Sequence, residues 1–179
     1  MQAVASARFR RMSGLRRVDP ERRRGPLYRG YAWLSATRPF AWVAQRIGWK
    51  LDPVLLRLTG GRLGAGLLLP TAVLETRGAR TGAVRRNAVI YFHDGDDVIV
   101  TAAYLGLPSH PSWFHNLVAT PEVTFGGEPF RASVVEEDVD RLWAAADRVF
   151  PPYARYRRQA VESGRTIPLV RLSPRSGSR

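Results

Sequence analysis

Cysteine is absent from the 179 residues. This excludes disulfides, thiolate metal sites and a cysteine nucleophile, and it leaves the redox compartment open. Histidine is scarce: His93, His110 and His115 are all there is. His110 and His115 stand five apart, off a single helical face, so no metal centre is expected. Lysine is nearly missing too, with Lys50 alone among 28 Lys+Arg. No run reaches the roughly 18 apolar residues of a membrane-spanning helix. The N-terminus lacks the apolar core and small-residue cleavage site of a secretory signal. The expected location is therefore cytoplasmic, with a peripheral position on the inner face of the cell membrane as an option. A Gly-x-Ser-x-Gly elbow, the Gly-Lys-Ser/Thr ending of a phosphate loop and any internal repeat are also missing.

What is present is a hydrophobic fraction of 45%, enough for a core, and a net charge of +13. The charge is uneven. Residues 1–70 hold 14 basic and 3 acidic side chains (+11), and residues 71–179 hold 14 and 12 (+2). A cationic segment favours an anionic partner: nucleic acid, an acidic lipid surface or a phosphorylated cofactor. Residues 1–30 read as a basic, disordered arm, punctuated by Gly14, Pro20, Gly25 and Pro26. The arm lacks interleaved aromatics and no recognition module is visible, so nucleic acid is not the expected partner.

Residues 31–69 read as an amphipathic helical segment. Phe40, Val43, Ala44 and Ile47 fall at helical spacing, with Trp33, Trp42 and Trp49 beside Arg38, Arg46 and Lys50. That pattern suits either an interfacial helix on an anionic membrane, through residues 1–49, or a helix packed on its own domain. Asp52-Pro53 opens a second helical piece that Gly60-Gly61 stops. From residue 70 to 172 the pattern becomes strand-like, and residues 173–179 form a tail. Thr71–Thr76, Arg86–His93, Val98–Ala103, Glu122–Phe125, Phe130–Val135 and Ile167–Leu172 read as strands, with hairpin turns at Asp94-Gly95 and Gly126-Gly127. Helices are expected over Pro111–Ala119, from Asp138 to about Phe150, and over Tyr153–Ser163. Hairpins imply antiparallel pairing, and closing the sheet removes its edges. The fold class is mainly β (α+β): a split β-barrel of about six antiparallel strands with flanking helices and an N-terminal helical extension.

Three segments could carry chemistry. In Gly78-Ala79-Arg80-Thr81-Gly82, followed by Arg85 and Arg86, glycines permit tight turns. There the backbone N–H groups, the Thr81 hydroxyl and the guanidinium groups suit phosphate or carboxylate. In His110-Pro111-Ser112-Trp113-Phe114-His115-Asn116, Trp113 and Phe114 could wall a flat ring and His115 and Asn116 offer polar contacts; the same residues would equally serve a short helix packed on the core. Tyr153 and Tyr156 share a helical face that lines a pocket or simply packs. The acids Asp94, Asp96 and Asp97 sit on a hairpin tip and read as solvated. Glu136, Glu137, Asp138 and Asp140 suit a helix start.

In order, the chain reads Leu-Glu-Thr-Arg-Gly-Ala-Arg-Thr-Gly, Arg-Arg-Asn-Ala-Val-Ile-Tyr, Asp-Gly-Asp-Asp, His-Pro-Ser-Trp-Phe-His-Asn-Leu, Thr-Pro-Glu-Val, Phe-Pro-Pro-Tyr-Ala-Arg-Tyr and Arg-Thr-Ile-Pro. Ahead of these stands Leu-Asp-Pro-Val-Leu-Leu-Arg-Leu-Thr-Gly-Gly-Arg-Leu. Over residues 50–172 this ordered set resembles the deazaflavin-dependent nitroreductase and quinone reductase family of actinobacteria and their relatives. The resemblance implies a split barrel that binds coenzyme F-420, an 8-hydroxy-5-deazaflavin with a phosphate and a polyglutamate tail. It places Ala79, Arg80 and Thr81 at the anionic tail, with Arg85, Arg86, Asn87, Ala88, Val89 and Ile90 following along it. Thr101, Ala102, Ala103 and Tyr104 would meet the ring. Ser112, Trp113, Phe114, His115 and Asn116 would complete the site, with Tyr153 closing over it. Ile90, Ala103, Phe150 and Tyr156 match substrate-side positions. The chain departs from the family where the first of two successive tail cations is Ala79, for which Arg86 can compensate. It departs again where Ile90, Ala103 and Phe150 replace polar or aromatic residues of the nitroimidazole-reducing members.

The more apolar substrate side favours a small hydrophobic acceptor such as a quinone or an unsaturated lipid over nitro compounds. The expected reaction is hydride transfer from the reduced deazaflavin, for which the protein supplies orientation and exclusion of water. No certain catalytic residue is implied, although Tyr153 or Tyr156 could donate a hydrogen bond to the accepting oxygen. Two alternatives stay open: a non-catalytic lipid- or cofactor-binding protein on the same barrel, and an oxidase using flavin mononucleotide (FMN). The oligomeric expectation is a monomer or a homodimer.

Overall fold

Alternating apolar residues from Thr71 onward build six strands, seen in a computed structural model that describes residues 15–35, 37, 39 and 69–175. They are β1 (Thr71–Arg77), β2 (Val84–Asp94), β3 (Asp97–Thr101), β4 (Glu122–Phe125), β5 (Glu128–Val134) and β6 (Leu169–Pro174). All pairings are antiparallel and run β1-β2-β3-β6-β5-β4, closing through β1 and β4. The helices among the described residues are α1 (Pro26–Ser35), α2 (Ser112–Ala119), α3 (Val139–Val149) and α4 (Tyr153–Glu162), with a 3-10 turn at Tyr104–Gly106. The split-barrel expectation is met by a closed antiparallel barrel of six strands.

Register decides which side chains fill it. Leu74 pairs with Phe125, Val123 with Phe130, Tyr91 with Val100 and His93 with Val98. The Tyr91 and Phe125 rings meet edge to face at 5.3 Å although β2 and β4 are not neighbours, and Phe125 meets Phe130 at 6.1 Å. Contacts between non-adjacent strands place this face inside. Strand side chains alternate, so Phe92, Ile99, Thr101 and Leu169 form the outer face, where α3 packs against β6 and Tyr153 of α4 faces Thr101. Each buried apolar side chain here contributes about 1.5–3 kcal/mol. The Gly126-Gly127 turn between β4 and β5 has φ of +58° and +89°, the left-handed conformation that a two-residue hairpin needs.

Strand ends shift from the sequence expectation in ways with local causes. β2 is longer than expected because it pairs with β1 as far as Val84, opposite Arg77. β3 stops at Thr101, not Ala103, because Tyr104, Leu105 and Gly106 turn into positive φ. β6 continues to Pro174, into the expected tail, because Arg131 and Phe130 keep pairing with Ser173 and Pro174. Asp94 and Asp97 are not a solvated cluster. Arg141 of α3 donates two bonds to Asp94, at 2.9 and 3.0 Å, and Arg171 donates to Asp97 at 2.8 Å, pinning the hairpin tip. The Arg141 guanidinium holds the Asp94 carboxyl below its usual range.

Residues 1–14, and the expected interfacial helix apart from residues 31–35, 37, 39 and 69, lie outside the described residues. The described part of the arm is not free. Val18 N–H donates to His93 Nδ1 (3.0 Å), His93 N–H donates to the Val18 carbonyl (2.9 Å), and the Tyr91 hydroxyl donates to the Arg16 carbonyl (2.8 Å). Leu15 fills the space over Gly126, where a Cβ would lie 2.3 Å from its side chain. Counting charged residues and turn-formers missed this, because Leu15 and Val18 are two isolated apolar residues among arginines.

His93 is nearly buried, and burial, reinforced by Arg17, pushes its pKa down to about 4. A depressed histidine pKa means that the unfolded chain takes up the proton first. Stability from this site is full above pH 6.5 and falls as the pH drops toward 4, by about 2 kcal/mol after discounting for solvent screening. His93→Gln keeps a neutral acceptor and should flatten that part of a plot of melting temperature against pH. An unchanged slope in the variant would rule His93 out as the source.

Candidate functional site

The loop after β1 is built by its own backbone. Gly82 N–H donates to the Gly78 carbonyl (2.7 Å), Gly78 N–H to Ala83 (2.9 Å), and Ala83 N–H reaches the Thr81 hydroxyl at 3.4 Å. Gly82 takes φ of +66°, which favours glycine. Arg77, Arg80 and Arg85 are exposed here, and among the described residues no acid pairs with them. Arg86 differs: its Nε donates to Glu75 at 2.7 Å across the β1–β2 pair, so it is an ion-paired residue and a weaker substitute for the missing second tail cation. The loop thus offers three unbalanced cations and a Thr hydroxyl, which suits an anion.

Asn116 ties this loop to the second segment. Its Oδ1 accepts from Ala79 N–H (3.0 Å), and its Nδ2 donates to the Thr76 hydroxyl (3.1 Å). Asn116 and Thr76 are buried. Asn116 therefore positions the loop through α2, and the Ala79 N–H is already occupied. Trp113 is buried under α2, as the core reading of this helix has it, while Phe114 is half-buried and Ser112 and His115 are exposed. The His110 ring lies 5.0 Å from Phe114 and 5.9 Å from His115. Burial, with Arg165 and His115 nearby, holds His110 below the ordinary histidine range.

Along β2 the expected tail-lining residues divide between faces. Arg85, Asn87 and Val89 lie on the side of Leu74 and Thr76, and Arg86, Ala88 and Ile90 on the other, as strand alternation requires. A ligand on the outer face meets Asn87 and Val89 only through their backbone. Ile90 shares the face of Phe92 and Thr101.

The third segment forms a closed aromatic cluster. Phe150 meets Tyr153 at 4.9 Å and Tyr156 at 6.2 Å, and Tyr153 meets Trp143 at 6.1 Å. Tyr153 is 5% exposed. Burial raises its hydroxyl pKa strongly, against a smaller opposite effect of the Thr101 hydroxyl facing it. Burial also raises that of Tyr156. Both are neutral hydrogen-bonding groups at physiological pH. The cluster is strapped from outside: the Tyr28 hydroxyl of α1 donates to the Val149 carbonyl (2.7 Å), Arg148 pairs with Glu21, and Arg155 stacks on Trp33. Tyr153 thus lies beneath other side chains, where the sequence reading had it closing over a ligand.

The linking residue that the sequence reading passed over is Arg165. It donates to His110 Nδ1 (3.1 Å) and to the carbonyls of Ala102, Ala103 and Leu107. Through it the turn after α4 is joined to α2 on one side and to Ala102–Tyr104 on the other. The only sequence signal was its place in Arg-Thr-Ile-Pro, which carries no chemistry by itself.

The arginine loop, α2, residues 102–107 and the aromatic cluster are thus linked through Asn116, Arg165 and the packing of α4 on the 3-10 turn. Residues 51–174 match the family model of F-420H(2)-dependent quinone reductase. The chain belongs to this family. An F-420H(2)-dependent quinone reductase of Mycobacterium tuberculosis is 31% identical over 146 residues, covering 75% of this chain and 97% of that protein. A solved F-420-H2-dependent reductase is 28% identical with a TM-score of 0.50, covering 58% of this chain and 94% of that one. A structure described as a domain-swapped dimer is 26% identical with a TM-score of 0.52, covering 75% and 99%. The chain is accordingly an oxidoreductase whose cofactor is coenzyme F-420, and the FMN alternative has no support. The donor set fits that group: unbalanced arginines and a Thr hydroxyl for an anionic tail, with half-buried Phe114 and exposed Tyr104 for a ring.

Asn116→Leu should cost about 2 kcal/mol of stability, since it leaves the Ala79 N–H and the Thr76 hydroxyl unpaired. Asn116→Asp keeps the acceptor for Ala79 but adds a negative charge. It should retain the melting temperature better while weakening F-420 binding by about tenfold. Equal affinity in wild type and Asn116→Asp would show that the loop does not hold the anionic tail.

Proposed function

We propose that this chain catalyses hydride transfer from reduced coenzyme F-420 to a small hydrophobic acceptor of the quinone class. The observation that carries the choice of acceptor is the aromatic Phe150–Tyr153–Tyr156 cluster, packed behind the Tyr104–Gly106 turn with Tyr153 facing Thr101. When bound, the deazaflavin supplies the hydride. The Arg80 and Thr81 loop holds the tail, Asn116 positions that loop, and Thr101–Tyr104 with Phe114 orient the ring. Nothing in this set needs to act as a strong acid or base, which suits hydride chemistry that depends on orientation and dryness. Burial keeps the Tyr153 and Tyr156 hydroxyls protonated behind this wall, so neither serves as a base. Nitro compounds are a weaker fit to the same wall.

Titration with F-420, followed by fluorescence, should give micromolar or tighter binding that Arg80→Ala weakens about tenfold. Reduced cofactor and a soluble quinone should then give multiple turnovers. Tight binding with a single turnover would replace the enzyme with a cofactor or lipid carrier.

The same reading extends to location. Leu27 is 79% exposed on α1, with Trp33 and Leu34 also exposed and Arg22, Arg23 and Arg29 nearby. Exposed apolar residues beside cations suit the headgroup region of an anionic bilayer. The chain should sediment with phosphatidylglycerol vesicles at low salt, and Leu27→Asp with Leu34→Asp should reduce that binding. Recovery in the supernatant with such vesicles would leave the protein off the membrane.

A further inference from the structure

Arg165 follows α4 in a turn where its N–H donates to the Ala160 carbonyl at 2.8 Å. The residue is only 6% exposed, yet among the described residues no carboxylate pairs with it. Its four acceptors are instead neutral: His110 Nδ1 and the carbonyls of Ala102, Ala103 and Leu107. All four belong to the connection between β3 and α2. Burial pulls the guanidinium below its ordinary value, and His110 is held neutral beside it. A buried cation without a counter-charge is costly, so hydrogen bonds to every face of the fork are needed to keep it there.

What it holds is the most unusual backbone among the described residues. Tyr104, Leu105 and Gly106 take φ of +46°, +57° and +75° in succession. Two of the three carry side chains, which rarely adopt this region. At Gly106 a Cβ would lie 2.9 Å from the Tyr156 carbonyl oxygen, so the run is pressed against α4 with no room to relax. One rigid planar group thus fixes the backbone of residues 102–110 and leaves a positive charge behind the Ala102–Tyr104 wall.

We propose that Arg165 is a positioning residue for the cofactor ring: its fork sets the strained wall, and its unbalanced charge favours a ring that carries an ionisable oxygen. This rests on the reading that the deazaflavin lies against Ala102–Tyr104. The 8-hydroxyl of that ring is such a group, and a cation behind the wall favours its ionised form.

The test uses the full chain with Arg165→Lys and Arg165→Gln. Without cofactor, hydrogen exchange at the amides of residues 103–108 should rise about tenfold or more in both variants, while the barrel strands stay protected. With oxidised F-420, Arg165→Gln should bind about tenfold or more weakly, and its absorption band should move toward that of the protonated ring at the same pH. Arg165→Lys keeps the charge without the fork, so it should keep the wild-type band and lose affinity. Wild-type affinity and band in Arg165→Gln would overturn the electrostatic half, and unchanged exchange at 103–108 in both variants would overturn the positioning half. If Arg165→Gln does not fold, Arg165→Lys decides the positioning half by exchange and affinity, and a band shifted toward the protonated ring despite the retained charge would overturn the electrostatic half. If the wild-type chain binds no F-420, the cofactor reading and the electrostatic half fail together, and the exchange experiment still decides the positioning half.

Discussion

Closure of the sheet through β1 and β4 is the constraint on which everything else depends. Once Leu74 sits opposite Phe125, Tyr91, Phe125 and Phe130 can meet across the barrel, and every strand acquires an inside and an outside. Outer positions at Ile90, Phe92, Ile99 and Thr101 then lie on one face, with α3 packed on β6 and Tyr153 of α4 against Thr101. The aromatic cluster of Phe150, Tyr153 and Tyr156 is brought to Thr101 as a result. Without closure those tyrosines would be residues on an amphipathic helix with no defined partner.

The site has two charge regimes, set by solvent access. On the loop after β1, Arg80 is exposed, so its charge can reach a ligand but is screened, and unpaired exposure costs little. At Arg165 the charge is out of water and is tolerated because its donors are matched to carbonyls and to a neutral imidazole. Asn116 within α2 and Arg165 against the segment ahead of α2 do similar work. One fixes a loop by backbone and hydroxyl contacts, and the other fixes a strained run of left-handed residues.

Several features were legible along the chain because they are local. Alternation and the Gly126-Gly127 turn mark strands and hairpins, and the absence of a βαβ rhythm points to antiparallel pairing. The Gly78–Gly82 loop shows its glycines, its cation and its hydroxyl directly in residue type. Other features were not legible. Arg86 looks like a tail cation until the β1–β2 register sets it beside Glu75. Asp94 and Asp97 look solvated until Arg141 and Arg171 arrive from α3 and β6. Leu15 and Val18, few and isolated, show no periodicity, although they cap the barrel against Gly126 and His93.

By itself the sequence determined the number and pairing sense of the strands, the position of the Gly78–Gly82 loop and the family, since each follows from residue type and short-range spacing. Tertiary structure alone decided that Tyr153 is buried, that Asn116 is a strut, that the residues from Arg85 to Ile90 divide between two faces of β2, and that Arg165 has no acid beside it among the described residues. The physical reason is common to all four. Burial, ion pairing and face depend on which distant segments share a volume, and the free energies involved arise only when closure excludes water from that volume.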